Sequence, residues 1–244
     1  MKFGVKTYRH KEFLDYFVGK SYFFEVQAIQ TVNYNFLQKY VKLKIPIVIH
    51  AEHFKWGFNP TDKTKKEFNL KSLNFARKLA DKTKAKKIII HPGRIINKSC
   101  SKEQAIKFFR EINDKRILIE NLTPNAHGFF TPKEIKEFIT KSNKGFIYDL
   151  SHSIATANQL KKNKLKFIKD FLKLKPKHFH INGQNYNSPR DQHRSFKTAQ
   201  HQMPNFKKIL KLYPKDAEIT LEVTPNIKNT AYDLNFIRDF VKNL

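Results

Sequence analysis

A chain of 244 residues with 40% hydrophobic content, including 23 Phe, carries enough apolar side chain for a sizeable core, which excludes a disordered protein. Its apolar runs fall short of the roughly 18 residues of a membrane span, its start "MKFGVKTYRHKEF" lacks the apolar run of a secretory signal, and its single cysteine, Cys100, excludes an internal disulfide framework, so a soluble cytoplasmic protein is expected. Lys and Arg number 48 against 21 acids, a formal +27, which favours a polyanionic partner without naming one, because an AT-rich coding sequence or growth at high temperature also enriches Lys.

In chain order, strand-length apolar runs recur at similar intervals. They are "KFGVKT" from residue 2, "YFFEVQAI" from 22, "IPIVIHA" from 45, "KIIIHP" from 87, "RILIENL" from 116, "GFIYDLS" from 145, "HFHINGQ" from 178 and "EITLEVTP" from 218. Each is mostly β-branched or aromatic, as buried parallel strands read. Between them lie stretches of helical period: Ala105, Phe108, Phe109 and Ile112, then Leu165, Ile168 and Leu172, then Leu234, Ile237 and Val241. "TPKE" at 131–134 reads as a helix start, with Thr131 as cap and Pro132 in the first turn. Strict β–α alternation implies a parallel sheet with helices outside. Eight units point to a single (β/α)8 TIM barrel domain over residues 1–244, with the first two units the least clear. An open doubly wound sheet is the weaker option, since no Gly-rich phosphate loop follows the first strand.

In such a barrel, function sits at the C-terminal ends of the strands. Those ends carry His50, His91, Glu120, Asp149 with His152, His180, and Glu222, and the loop after the seventh strand adds Asp191 and His193. Any one of them has a plain structural explanation: a hydrogen-bonded core histidine, a Glu paired with Lys, a solvated loop Asp. Their convergence on one rim does not. Four of them are carboxylates that would repel one another and carry heavy desolvation costs without a cation. The set is too large for one ion and suits a cluster with a shared carboxylate. His178, two residues before His180 on the same strand face, reads as a supporting or barrel-layer residue. His10, His127 and His201 fall outside the strand-end pattern and read as surface or loop residues.

His50, "HPG" at 91–93, "EN" at 120–121, "DLSH" at 149–152, "HIN" at 180–182, "DQH" at 191–193 and "LEVTP" at 221–225 together resemble the endonuclease IV family of apurinic/apyrimidinic DNA repair nucleases, within the xylose isomerase-like barrels. The resemblance covers roughly residues 45–225. It implies three zinc ions, with manganese as the alternative metal: His50, His91 and Glu120 for the first; Glu120, Asp149, His180 and Glu222 for the second; His152, Asp191 and His193 for the third. It further implies Glu120, Asp149 and Glu222 as the catalytic carboxylates, and a monomer acting on double-stranded DNA with abasic sites. The implied reaction breaks the phosphodiester 5′ to the site and leaves a 3′-hydroxyl. DNA contacts are expected from His53 and Phe54, near Trp56, and from Arg190 and Arg194, which flank "DQH". The chain departs from the family in its shorter length, a trimmed loop between His180 and Asp191, and a bulky, basic "RSFKTAQHQMP" in place of Gly-rich sequence. The alternative is a single-metal sugar or sugar-phosphate isomerase or epimerase of the same barrel group, using Glu120, Asp149, His180 and Glu222 alone. That reading leaves His50, His91, Asp191 and His193 without a task. A non-catalytic basic barrel would be favoured by a missing ligand, and none is missing.

Overall fold

The strands β1 (Lys2–Thr7), β2 (Phe24–Gln27), β3 (Ile47–His50), β4 (Ile88–Ile90), β5 (Ile117–Glu120), β6 (Gly145–Asp149), β7 (His178–Ile181) and β8 (Glu218–Leu221) each coincide with one of the apolar runs. In the computed structural model, which describes residues 1–7 and 10–242, every neighbouring pair is parallel. β8 pairs back onto β1 and closes the sheet into an eight-stranded barrel. Helices follow the strands: α1 (Lys11–Phe17), α2 (Leu37–Lys42), α3 (Lys66–Thr83), α4 (Lys102–Arg110), α5 (Pro132–Ser142), the pair α6 (Leu150–Gln159) and α7 (Lys164–Leu172) after β6, α8 (Met203–Leu210) and α9 (Ile227–Lys242). The barrel expected from the alternation is therefore the fold observed. Among the described residues no helix is long and apolar enough to cross a membrane.

Local chemistry explains where the helices begin. Thr131 and Glu134 form a reciprocal capping box at the start of α5, with Pro132 in the first turn. Ser101 caps α4 and Asn163 caps α7 through their side chains. The start of α6 was not expected: Asp149 ends β6 and also caps the helix, accepting from the His152 amide. "DLSH" is thus a strand end fused to a helix start, and it delivers Asp149 and His152 to one place.

The period of two along each strand sorts the core into layers. Ile47, Ile49, Ile88, Ile90, Ile117, Ile119, Phe146, Tyr148 and Phe179 belong to the large buried cluster shared with the helices. The alternate residues Phe23, Val48, Ile89, Leu118 and Ile147 form a separate small cluster that floors the barrel interior. Gly4 makes room for it, since a Cβ there would lie 2.1–2.4 Å from the Phe23 ring. Two positions further along the same strands, and so on the same inward face, come Glu25, His50, His91, Glu120 and Asp149. A polar ring is thereby stacked on an apolar floor, at the end of the barrel where the strands finish.

Candidate metal centre

Four histidines of the ring are held through one nitrogen, with the other turned toward the centre. Nδ1 of His50 donates to the Ala51 carbonyl at 2.9 Å, that of His152 to the Asn121 carbonyl at 2.7 Å, and that of His193 to the Glu222 carbonyl at 3.0 Å. A carbonyl oxygen can only accept, so these contacts fix the tautomer and leave each Nε2 free to bind a cation. His180 is held the other way round, with Nε2 donating to Glu25 at 2.9 Å and Nδ1 facing inward. Asn121 clamps the end of β6 by donating to the Asp149 carbonyl and accepting from its amide, which gives "EN" a structural purpose beyond Glu120.

The inward atoms gather into three groups, the first two sharing Glu120: His50, His91 and Glu120; Glu120, Asp149, His180 and Glu222; and His152, Asp191 and His193. Glu120 stands between them. Its Oε2 lies 3.4 Å from His50 Nε2 and 3.2 Å from His91 Nε2, and its Oε1 lies 3.5 Å from His180 Nδ1. His180 Nδ1 is 3.8 Å from Asp149 Oδ2, and His152 Nε2 is 3.4 Å from Asp191 Oδ2. Ligands about 2.1 Å from a tetrahedral ion sit roughly 3.4 Å apart, close to these separations. Two contacts are tighter, at 2.6 Å: His180 to Glu222 and His193 to Asp191.

These residues fit metal on a second count. The buried atoms with no hydrogen-bond partner include His50 Nε2, both oxygens of Glu120, Asp149 Oδ2, His180 Nδ1, Asp191 Oδ1 and Glu222 Oε2. Each such orphan costs about 1–3 kcal/mol, more when charged. Here they point at one another, as ligand atoms around cations would. Protons otherwise carry the compensating charge. Burial pushes the Asp149 carboxyl up to about 7, with Glu222 and Glu120 adding to the effect against the charge of His152. Burial works against charged His180, yet Glu25, Glu222 and Glu120 hold it well above the usual histidine range. Burial likewise opposes charge on His193, but the Asp191 hydrogen bond and Glu222 raise it to about 9.

A cavity of about 220 Å³ opens over the ring. His53, Phe54 and Trp56 line it. The His53 ring stacks 5.1 Å from that of His91, and Phe54 lies under the Arg94 guanidinium at 5.1 Å. Arg94 lines this cavity and was not singled out by the sequence. Arg190 and Arg194 are exposed on the loop after β7, outside the cavity lining. His10, His127 and His201 are exposed, and His178 is wholly buried, with Nε2 2.8 Å from Thr220 Oγ1. Lys6 and Glu25, on the strands that were hardest to read, also reach the ring. Lys6 Nζ donates to Glu222 Oε1 at 2.6 Å.

Residues 26–240 match a family model described as a xylose isomerase-like TIM barrel. No curated protein matches the sequence at a significant level. Among solved structures, the chain is similar to endonuclease IV from Thermus thermophilus, with TM-score 0.76 and 16% identity over 100% of both chains. It is also similar to a D-tagatose 3-epimerase-like protein, with TM-score 0.72 and 16% identity over 99% of this chain and 97% of that one. An IolI protein with a bound zinc atom gives TM-score 0.71 and 14% identity over 100% of this chain and 97% of that one. At such identities these likenesses speak to the fold.

Proposed function

The chain belongs to the xylose isomerase-like TIM barrel family, and from that premise we propose that it is a zinc-dependent endodeoxyribonuclease that breaks the phosphodiester 5′ to an abasic site in double-stranded DNA, acting as a monomer in base excision repair. The observation that carries the reading is the grouping of nine ligand-type side chains into three sets, two of which share Glu120, more than single-metal chemistry requires. His50, His91 and Glu120 would hold one ion, Glu120, Asp149, His180 and Glu222 a second, and His152, Asp191 and His193 a third. When bound, such ions supply Lewis acidity toward a phosphodiester and make water nucleophilic at neutral pH.

The protein's own groups do the rest. The backbone carbonyls of Ala51, Asn121 and Glu222 keep His50, His152 and His193 in one tautomer, so the site is preorganised. The cavity of about 220 Å³ is too small for a duplex. A nucleotide must leave the helical stack to enter it, and a site without a base does so at least cost. Phe54 and Trp56 stand at the lip to fill the gap left in the stack, and Arg94 and Lys55 supply phosphate contacts beside them. The net charge of +27 suits a DNA backbone.

Glu120, Asp149, His180 and Glu222 alone would serve a single-metal epimerase, the activity that one structural neighbour is named for, but that leaves the other two groups idle. The test is elemental analysis of chelator-free protein, followed by incubation with a duplex carrying one abasic site. Expected are close to three zinc ions per chain and incision 5′ to the site, leaving a 3′-hydroxyl, abolished by chelation. Metal-loaded protein that leaves the abasic duplex intact refutes the nuclease. One ion per chain shifts the reading to the epimerase.

A further inference from the structure

On the far side of His180 from the clustered carboxylates lies a buried group that none of the assigned roles uses. Lys6 and Glu25 are register partners on β1 and β2 and share the inward face. They are 4% and 0% exposed, unusual for either residue type unless paired. Glu25 Oε2 accepts from His180 Nε2 at 2.9 Å and from Thr220 Oγ1 at 2.7 Å. Its Oε1 lies 3.3 Å from Lys6 Nζ. Lys6 in turn donates to Glu222 Oε1 at 2.6 Å. Behind them His178 Nε2 meets Thr220 Oγ1 at 2.8 Å, and Lys87 Nζ lies 3.3 Å from His178 Nδ1.

Each contact has one consequence for the ring. An ionised carboxylate only accepts hydrogen bonds, so Glu25 obliges His180 to carry its proton on Nε2 and to present Nδ1 to Glu120, Asp149 and Glu222. The contact from Thr220 anchors the carboxylate and hence the plane of the imidazole. Lys6 occupies one oxygen of Glu222 and leaves the other, Oε2, turned toward His180 Nδ1 at 2.6 Å. Glu25, His178 and His180 are also close enough to hold an ion of their own, but the Lys6 ammonium already stands 3.3 Å from the Glu25 carboxylate and supplies the positive charge there.

We propose that Lys6 and Glu25 are positioning residues that set the ligand geometry of the group Glu120, Asp149, His180 and Glu222 before metal arrives. Glu25 fixes His180, and Lys6 fixes Glu222. The inference rests on the metal-binding part of the reading above and not on abasic DNA as substrate. Removing the outer partner of a metal-ligating histidine typically weakens metal binding by roughly 10–100-fold.

The experiment strips the full chain of metal and titrates it with Co²⁺, following visible absorption and metal content, for wild type, Glu25→Gln, Lys6→Met/Glu25→Gln and Thr220→Val. Wild type is expected to load with one absorption spectrum. Glu25→Gln and the double variant should lose roughly 10–100-fold in affinity for one ion, with a changed spectrum for that ion and the remaining ions unaffected. The metal-free melting temperature serves as the control. The double variant removes one charge of each sign; Thr220→Val removes no charge, only the hydrogen bond to Glu25 and the one from His178, so with its metal-free melting temperature as control it decides the matter if the first two do not fold. A selective loss in any folded variant supports positioning. Variants that load as wild type does, or that weaken every ion together with the metal-free fold, overturn it. Wild type that loads metal yet leaves abasic DNA intact defeats the substrate reading alone.

Discussion

Replacing His193 with Ala separates chemistry from fold more cleanly than any other change at the centre. The residue sits on the loop after β7 with a backbone φ of 45° and a side chain 38% exposed. Its ring nitrogens make two polar contacts, Nδ1 to the Glu222 carbonyl at 3.0 Å and Nε2 to Asp191 at 2.6 Å. The first is an ordinary hydrogen bond and the second is half-solvated, so together they stabilise the fold by about 2 kcal/mol. For a chain of this size that is a fall of about 4–8 °C in melting temperature. Catalysis should lose far more. His152 and Asp191 remain but no longer complete the third group. Loss of one preorganised charge acting on the transition state costs about 3–4 kcal/mol, or roughly 10²–10³ in rate. Rate is read as single-turnover incision of an abasic duplex, metal content by elemental analysis and fold by thermal melting. Incision at the wild-type rate with unchanged metal content would refute the third group. A collapsed melting curve would show that the loop is structural.

Chelation should destabilise the wild-type chain, because ions bound at about 1,000 times their dissociation constant each add about 4 kcal/mol. Each ion lost should therefore lower the melting temperature by about 8–16 °C, recovered on adding zinc; an unchanged curve argues against a metal centre. Metal loading at neutral pH should release protons. Metal-free His180 is held protonated, His193 titrates near 9 and Asp149 near 7, so a cation must displace them and apparent affinity should rise with pH up to about 9. Calorimetry in buffers of different ionisation enthalpy measures this, and the absence of release contradicts it. Gly4→Ala should destabilise by about 1–3 kcal/mol, because the new Cβ would lie 2.1–2.4 Å from the Phe23 ring; a melting temperature equal to wild type would mean that the barrel floor can shift.

The barrel was legible because its strands read as apolar runs at similar intervals, and from the third to the eighth each run also finishes in His, Asp or Glu. The period of two then fixes which residues face inward, so His50, His91, Glu120, Asp149, His180 and Glu222 could be placed on one rim before any contact was known. The helix start that joins Asp149 to His152 was hidden, since "DLSH" looks equally like a strand running into a loop. Lys6 and Glu25 were missed for another reason. Their meaning depends on partners 216 and 155 residues away, Glu222 and His180, brought close only when β8 closes on β1. An inward acid within "FFEVQ" was a usable signal, because a carboxylate facing a barrel interior needs a partner. Arg94, Arg190 and Arg194 depend on irregular loops, whose side-chain directions follow no period.

The stacking of a polar ring on the floor formed by Phe23, Val48, Ile89, Leu118 and Ile147 bears on how such a protein can change over evolutionary time. Barrel closure relies on the floor and on the outward-facing residues packed under the helices. Chemistry relies on the ring, one step further along the same strands. Substitutions in the ring therefore leave the folding core untouched, and substitutions in the floor leave the ligands in register. One scaffold can thus exchange the polar residues of its ring while remaining recognisably the same barrel, as it is at 16% identity. Lys6 and Glu25 mark a constraint on that freedom: two opposite charges locked in one layer must be exchanged together.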